Sequence, residues 1–189
     1  GVRYVFNPGF MATYPHKQEE LTKSIKSLKQ GEQIKILKYL GCQYYIGNKP
    51  FFSMEKSKKI VAEGFTQYLE KIADEPARPT VVYDFVRAET EQERLDIFTS
   101  AEFDPQKTVI IGQGIKLPEK IGEEIHGAQR KDYSLDILEE KAGYGRYKIN
   151  LPAAGLAIFP SNWAKGWKAW IDGKRVDVFE ANLFSKGLA

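Results

Sequence analysis

One short segment, WKAWIDGKRVDVFEAN from Trp167 to Asn182, constrains local structure more tightly than any other part of the chain. Asp172-Gly173 supplies the two adjacent positive-φ positions that a type I′ hairpin turn needs. Pairing outward from that turn sets Ile171 against Lys174, Trp170 against Arg175 and Ala169 against Val176. Lys168 then meets Asp177, and Trp167 meets Val178. Side chains alternate across a strand, so two faces separate. Trp167, Ala169, Val176 and Val178 form a core face; Lys168, Trp170, Arg175 and Asp177 form an amphipathic one. A cross-strand Trp–Arg contact contributes about 0.2–1 kcal/mol, so packing accounts for the segment without a ligand. A sharper reading makes Trp163 and Trp170 a platform for the apolar face of a sugar ring. Asp172 or Asp177 would then bind hydroxyls, with Arg175 stacked beside Trp170.

The rest of the chain supplies the frame. Leu21, Ile25 and Leu28 recur at helical spacing within Lys17–Gln30, and Gly31 is expected to end that helix. A second helix is expected over Glu32–Leu40, with Ile34, Leu37 and Leu40 inward and Gly41 as its C-terminal stop. CQYYIG reads as a short strand. Met54–Asp74 reads as a short helical turn followed by two strands. TVVYDFV, Thr80–Val86, opens after Pro79 and is rich in β-branched and aromatic residues, so one strand is expected there. Thr90 and Glu93 make a T-x-x-E capping pattern ahead of Leu95, Ile97 and Phe98. TVIIG at Thr108 returns to strand, giving the size of a βαβ unit. Between Gly112 and Lys131 the periodicity dissolves into glycines, a proline and charges. Beyond it come strands only: YSLDILEE, GRYKINL, AGLAIFP and the tryptophan hairpin.

The expected class is α+β. A small mixed α/β subdomain (1–115) and a linker (116–131) lead into an antiparallel, β-sandwich-like subdomain (132–189).

At 189 residues and 42% hydrophobic, the chain can bury a core. The net charge of +3 comes from scattered basic residues, which do not make a nucleic-acid arm, so no nucleic-acid partner is expected. The one cysteine, Cys42, sits in the apolar run YLGCQYYIG and reads as a small buried residue rather than a nucleophile. A helical span needs about 20 consecutive apolar residues, and the run from Leu151 to Pro160 is too short. The abrupt start at Gly1 and stop at Ala189 read as a piece of something larger.

Candidate chemistry is sparse, and no catalytic residue, metal ligand or cofactor is expected. His16 and His126 are isolated and lack metal-ligand spacing. Gly112-Gln113-Gly114 follows a strand without completing a phosphate loop. Glu123-Glu124 and Glu139-Glu140 are sequence neighbours whose side chains point apart, which makes them poor acid–base partners.

Four stretches, taken in order, carry a resemblance. GWKAWIDGKRVDVFEANLFSKGLA resembles the GW-x-A-x-x-DG-x-x-V-x-x-x-x-AN-x-x-F-x-G-V pattern of YfhO-like bacterial membrane proteins. LKYLGCQYYIGNKP, YLEKIADEPARPTVVYDF and ERLDIFTSAEFDPQKTVII resemble three earlier segments of that family, so the match runs from about residue 33 to 189. The resemblance implies the soluble extracytoplasmic region of a multi-pass protein similar to GT-C glycosyltransferases, located at a bacterial cytoplasmic membrane. The parent would use polyprenyl-phosphate-linked sugars in cell-envelope glycosylation, with its catalytic carboxylate in a membrane-side loop outside this chain. The implied partners are the membrane domain of the parent chain and a glycan or lipid-linked sugar. Two features depart from the pattern. Pro76-Ala77-Arg78-Pro79 stands where the family has P-R-A, and the closing P-A-G-x-H strand lies beyond Ala189, so the sandwich is expected to be truncated at its C-terminal end. A stand-alone carbohydrate-binding module using the Trp163/Trp170 face is the alternative. If Trp167 is core, Trp167→Ala should cost on the order of 3–5 kcal/mol in a denaturant melt, and Trp170→Ala far less.

Overall fold

A computed structural model describes residues 15–52, 57–62, 65–75, 77–118, 121, 133–141, 143–160 and 163–189. The fold is mixed α+β and mostly sheet. The chain divides into two compact units, Gly1–Ala77 and Arg78–Ala189.

In the first unit, helix α1 (Pro15–Ser27) buries Leu21 and Ile25 as the stripe predicts. Helix α2 (Gln30–Tyr39) starts earlier than expected, and Gly31 lies inside it rather than ending α1. Its buried residue is Ile36; Ile34, Leu37 and Leu40 are only half-buried. The C-terminal stop is as read. Gly41 takes φ 78, its N–H bonds the Lys38 carbonyl, and the Cys42 N–H bonds the Leu37 carbonyl, which is a Schellman closure.

Strands β1 (Tyr44–Gly47), β2 (Lys58–Ala62) and β3 (Phe65–Lys71) make an antiparallel sheet in the order β1-β3-β2. Glu70 on β3 is 1% exposed, and its carboxylate accepts from the amides of Phe51 and Phe52, the latter at 2.7 Å. Those two donors make burial of a carboxylate tolerable and tie the segment after β1 to the sheet. Cys42 is buried, and desolvation pushes its thiol up to about 11, as suits an inert core residue.

The second unit departs most from expectation. TVVYDFV is not one strand: it breaks at Tyr83 into β4 (Thr80–Val82) and β5 (Asp84–Ala88). With β6 (Thr108–Gly112), β9 (Leu156–Phe159), β12 (Phe179–Ala181) and β13 (Ser185–Leu188), these form a six-stranded sheet, β4-β9-β13-β12-β6-β5. The two halves of one sequence run thus occupy opposite edges. Laid flat, those edges would stand about 24 Å apart, five spacings of ~4.8 Å. A single residue between Val82 and Asp84 spans at most about 7.6 Å. The sheet therefore curls back on itself, around a core of Val82, Val109, Leu156, Ile158 and Phe179.

This pairing also moves the boundary. Strands from both sides of the expected 116–131 linker share one sheet, so the chain divides at Ala77 instead, and 132–189 is not a separate subdomain. Much of 116–131 lies outside the described residues, but Leu117 packs on the core and Ile121 is buried in it.

The βαβ expectation holds. β5 and β6 pair in parallel through helix α3 (Glu91–Thr99), whose Thr90 cap accepts from the Glu93 amide at 3.1 Å. The Glu93 carboxylate reaches one residue further back than a capping box requires, to the Glu89 amide at 2.6 Å. A second hairpin, β7 (Ser134–Lys141) and β8 (Tyr144–Asn150), carries Ile149 onto the core.

Asn182 pins β12 to β6. It is buried, with φ 56, in the turn between β12 and β13. Its N–H donates to the Ile110 carbonyl at 2.7 Å, and its Oδ1 accepts from the Ile110 N–H at 2.9 Å. The side chain thereby continues a ladder whose backbone pairing is Ala181 with Ile111. Asn182→Ala leaves a buried donor unsatisfied and places a Cβ residue without local compensation in the left-handed region, an expected loss of about 2–5 kcal/mol. Asn182→Gly removes the bond but not the conformational fit, and should cost about 1 kcal/mol less. Urea melts of both variants check the order; an equal or reversed order would show that the backbone conformation is not part of the pin.

Candidate functional site

The tryptophan hairpin forms in the register derived from its turn. Strands β10 (Ala169–Ile171) and β11 (Lys174–Val176) pair Ala169 with Val176, Trp170 with Arg175 and Ile171 with Lys174. Asp172 and Gly173 take φ 49 and 79, the two positive values of a type I′ turn. The ladder ends at Ala169–Val176, short of the Lys168–Asp177 and Trp167–Val178 pairs that simple extension gives. The hairpin is a two-stranded sheet of its own, and every residue from Trp170 to Arg175 is exposed.

The face expected to be core is only half-buried at Trp167, Ala169, Val176 and Val178. Trp167 is covered by a cation: the Lys186 Nζ lies 3.5 Å from its ring centroid. Lys186 sits in β13 between Phe159 of β9 and Glu180 of β12, its register partners, so these three side chains share one face of the large sheet. Glu180 pairs with Arg94 of α3 at 2.9 Å. Tyr147 of β8 packs at a tilt of 52° on Phe159, 4.9 Å between centroids, and donates its hydroxyl to Glu140 at 3.0 Å.

Burial holds the Lys186 amine below its ordinary range, against the attraction of Glu140, which raises it. The indole face replaces part of the water that the ammonium has lost. Burial also pushes the Tyr147 phenol up to about 12, helped by its hydrogen bond to the Glu140 carboxylate. Lys186 is thus engaged with Trp167, Tyr147 with Glu140 and Glu180 with Arg94, contacts that brace β13 and its neighbours. Half-burial of Trp167 lowers its expected truncation cost to about 1.5–3 kcal/mol, below the value for a fully buried ring.

The sequence-predicted residues fall in different places. Trp170 is 60% exposed beside Arg175, and Asp172 and Asp177 are exposed, Asp172 serving the turn. Trp163 is half-buried, and its N–H donates to the Phe184 carbonyl at 2.7 Å, tying it to the β12–β13 connection. Lys186 was not a sequence candidate. Its one sequence signal is a cation at a mid-strand position between Ser185 and Gly187.

Other candidates resolve as structure. The carbonyls of Gly112, Gln113 and Ile115 converge on the Arg87 guanidinium at 3.0–3.3 Å, so the loop after β6 turns acceptors inward to a cation. Glu139 bonds Lys141 while Glu140 takes the Tyr147 hydroxyl, the divergence expected of strand neighbours. His126 and Glu123-Glu124 lie outside the described residues, and of His16 only the backbone is described. Among the described residues no group of three or more His, Cys, Asp or Glu side chains could hold a metal ion. Among the same residues no helix is long and apolar enough to cross a membrane.

No protein-family model matches this chain, and neither a curated protein nor a solved structure matches it.

The Tyr147 environment has an alkaline signature. A phenol raised from 10.0 to about 12 favours the fold while neutral, so its contribution is complete below pH 10 and is lost as pH rises from 10 to 12. Lys186 acts in the opposite sense: its lowered value makes the protonated amine a cost that is relieved as pH climbs towards 10.5. Tyr147→Phe should therefore flatten the fall in stability between pH 10 and 12 and remove the latest step of a phenolate absorbance titration. An unchanged titration would show that Tyr147 ionises like an exposed tyrosine.

Proposed function

We propose that this chain is a noncatalytic extracytoplasmic domain of a GT-C-like membrane protein of the bacterial cell envelope, which recognises glycan or acceptor through the Trp170 face of its hairpin. The observation that carries the reading is the presentation of Trp170, 60% exposed, beside Arg175 on a short hairpin set by a type I′ turn. Trp170 and the adjacent Ile171, 60% and 44% exposed, put apolar surface at the hairpin where a partner can cover it. The flat face of Trp170 offers apolar contact to a sugar ring, Arg175 offers a fork of donors, and Asp177 offers an acceptor.

Behind it Lys186 is engaged with Trp167 and Arg94 with Glu180, whereas Trp170 and Arg175 face solvent. The four ordered stretches similar to YfhO-like proteins support the wider setting: a membrane domain elsewhere in the parent chain, catalysis there, and a polyprenyl-phosphate-linked sugar as donor. Under this reading the domain works outside the cytoplasmic membrane.

A glycan array followed by ligand-observed NMR tests the recognition role. Trp170→Ala should abolish saturation transfer, and Arg175→Ala should weaken it about tenfold, the scale of a lost hydrogen bond to a charged group. Glycan binding that survives Trp170→Ala would place recognition elsewhere. No binding by the intact chain would leave the domain a scaffold for the membrane portion.

A further inference from the structure

We infer that the tip of the β10–β11 hairpin docks on an anionic lipid surface, with Trp170 and Ile171 entering the headgroup boundary and the surrounding cations meeting lipid phosphates. The inference goes beyond the glycan reading because it turns on the opposite face of the same hairpin. Trp170 pairs with Arg175 on one face, and Ile171 with Lys174 on the other. Ile171 is 44% exposed, and all six residues from Trp170 to Arg175 face solvent. A sugar ring stacked on Trp170 uses one face and gives Ile171 no role. A phase that surrounds the tip uses both.

The charge pattern selects the phase. Between Trp163 and Val178 the cations are Lys165, Lys168, Lys174 and Arg175, against the carboxylates Asp172 and Asp177. The surplus of two (four minus two) within this segment compares with +3 for the whole chain. All four cations are exposed. Long basic side chains lay their stems along apolar surface while their heads reach phosphate level, and an indole settles at the interface with its N–H wet. Each cation near an anionic surface adds about fivefold to partitioning and each is screened by salt. The docking is therefore reversible and salt-sensitive. Asp172, at the apex, is the opposing charge. Asparagine tolerates the same positive φ, so Asp172→Asn keeps the turn while removing that repulsion.

The test is co-sedimentation of the whole chain with vesicles of phosphatidylcholine alone or mixed with phosphatidylglycerol, at low and high salt. Binding is expected only to the mixed vesicles, weakened by salt and strengthened about fivefold by Asp172→Asn. Ile171→Thr retains strand propensity and should weaken vesicle binding about tenfold while leaving glycan binding unchanged. Lys174→Glu should weaken it further. Failure of the intact chain to sediment with anionic vesicles, equal binding to neutral ones, or binding indifferent to Ile171→Thr would each overturn the inference. Glycan binding in the absence of vesicle binding would assign the hairpin to sugar alone.

Discussion

The second unit depends on one joint. Tyr83 connects the two outermost strands of a six-stranded sheet, and no flat arrangement of that sheet permits a one-residue connection. Curling follows from chain length rather than from any favoured twist, and it decides where the core lies. The inner face collects Val82, Val109, Leu156, Ile158 and Phe179, while the outer face receives α3 through the Arg94–Glu180 pair. Asn182 supplies bonds to Ile110 where the β12–β6 ladder is reduced to a single backbone pair.

The same curvature shapes the candidate site. Lys186 emerges on the outer face in register with Phe159 and Glu180, where neither open water nor a full apolar layer is available. An ammonium there loses hydration, and the indole of Trp167 partly restores it. One tryptophan of the hairpin is thereby used internally, and the other, three positions on and so on the opposite face, is turned out. Division of labour between Trp167 and Trp170 is a consequence of strand alternation combined with one cation beneath the hairpin.

What the sequence disclosed was short-range. Asp172-Gly173 dictates its own register, Thr90 and Glu93 announce the start of α3, and Gly41 closes α2, because each relies on residues within a few positions. The break in TVVYDFV carried no such signal. Its residues all suit strands, and the pairing that splits them lies with β9 on one side and β6 on the other. The unit boundary was misplaced for the same reason: a glycine-rich change of composition marks a local loss of periodicity, whereas strand pairing crosses it. The half-burial of Trp167 and the burial of Glu70 were hidden because a charged side chain reads as surface until its partners are known. Of the candidate site, Trp170, Asp172, Arg175 and Asp177 were legible from the hairpin alone; Trp163 is anchored at the β12–β13 connection, and Lys186 required the sheet.

The interleaved strand order also governs the timetable of synthesis. In the first unit every strand pairs with a neighbour made shortly before or after it, so that sheet can assemble early. In the second, β4, β5 and β6 are made first, but β9, β12 and β13 must insert between them before the sheet is continuous. Until Leu188 has emerged, Val81, Val82, Ile110 and Ile111 have no complete sheet to enter. The growing chain therefore passes through an interval with β4 unpaired and β6 paired on one edge only, when a holding factor would find its best target.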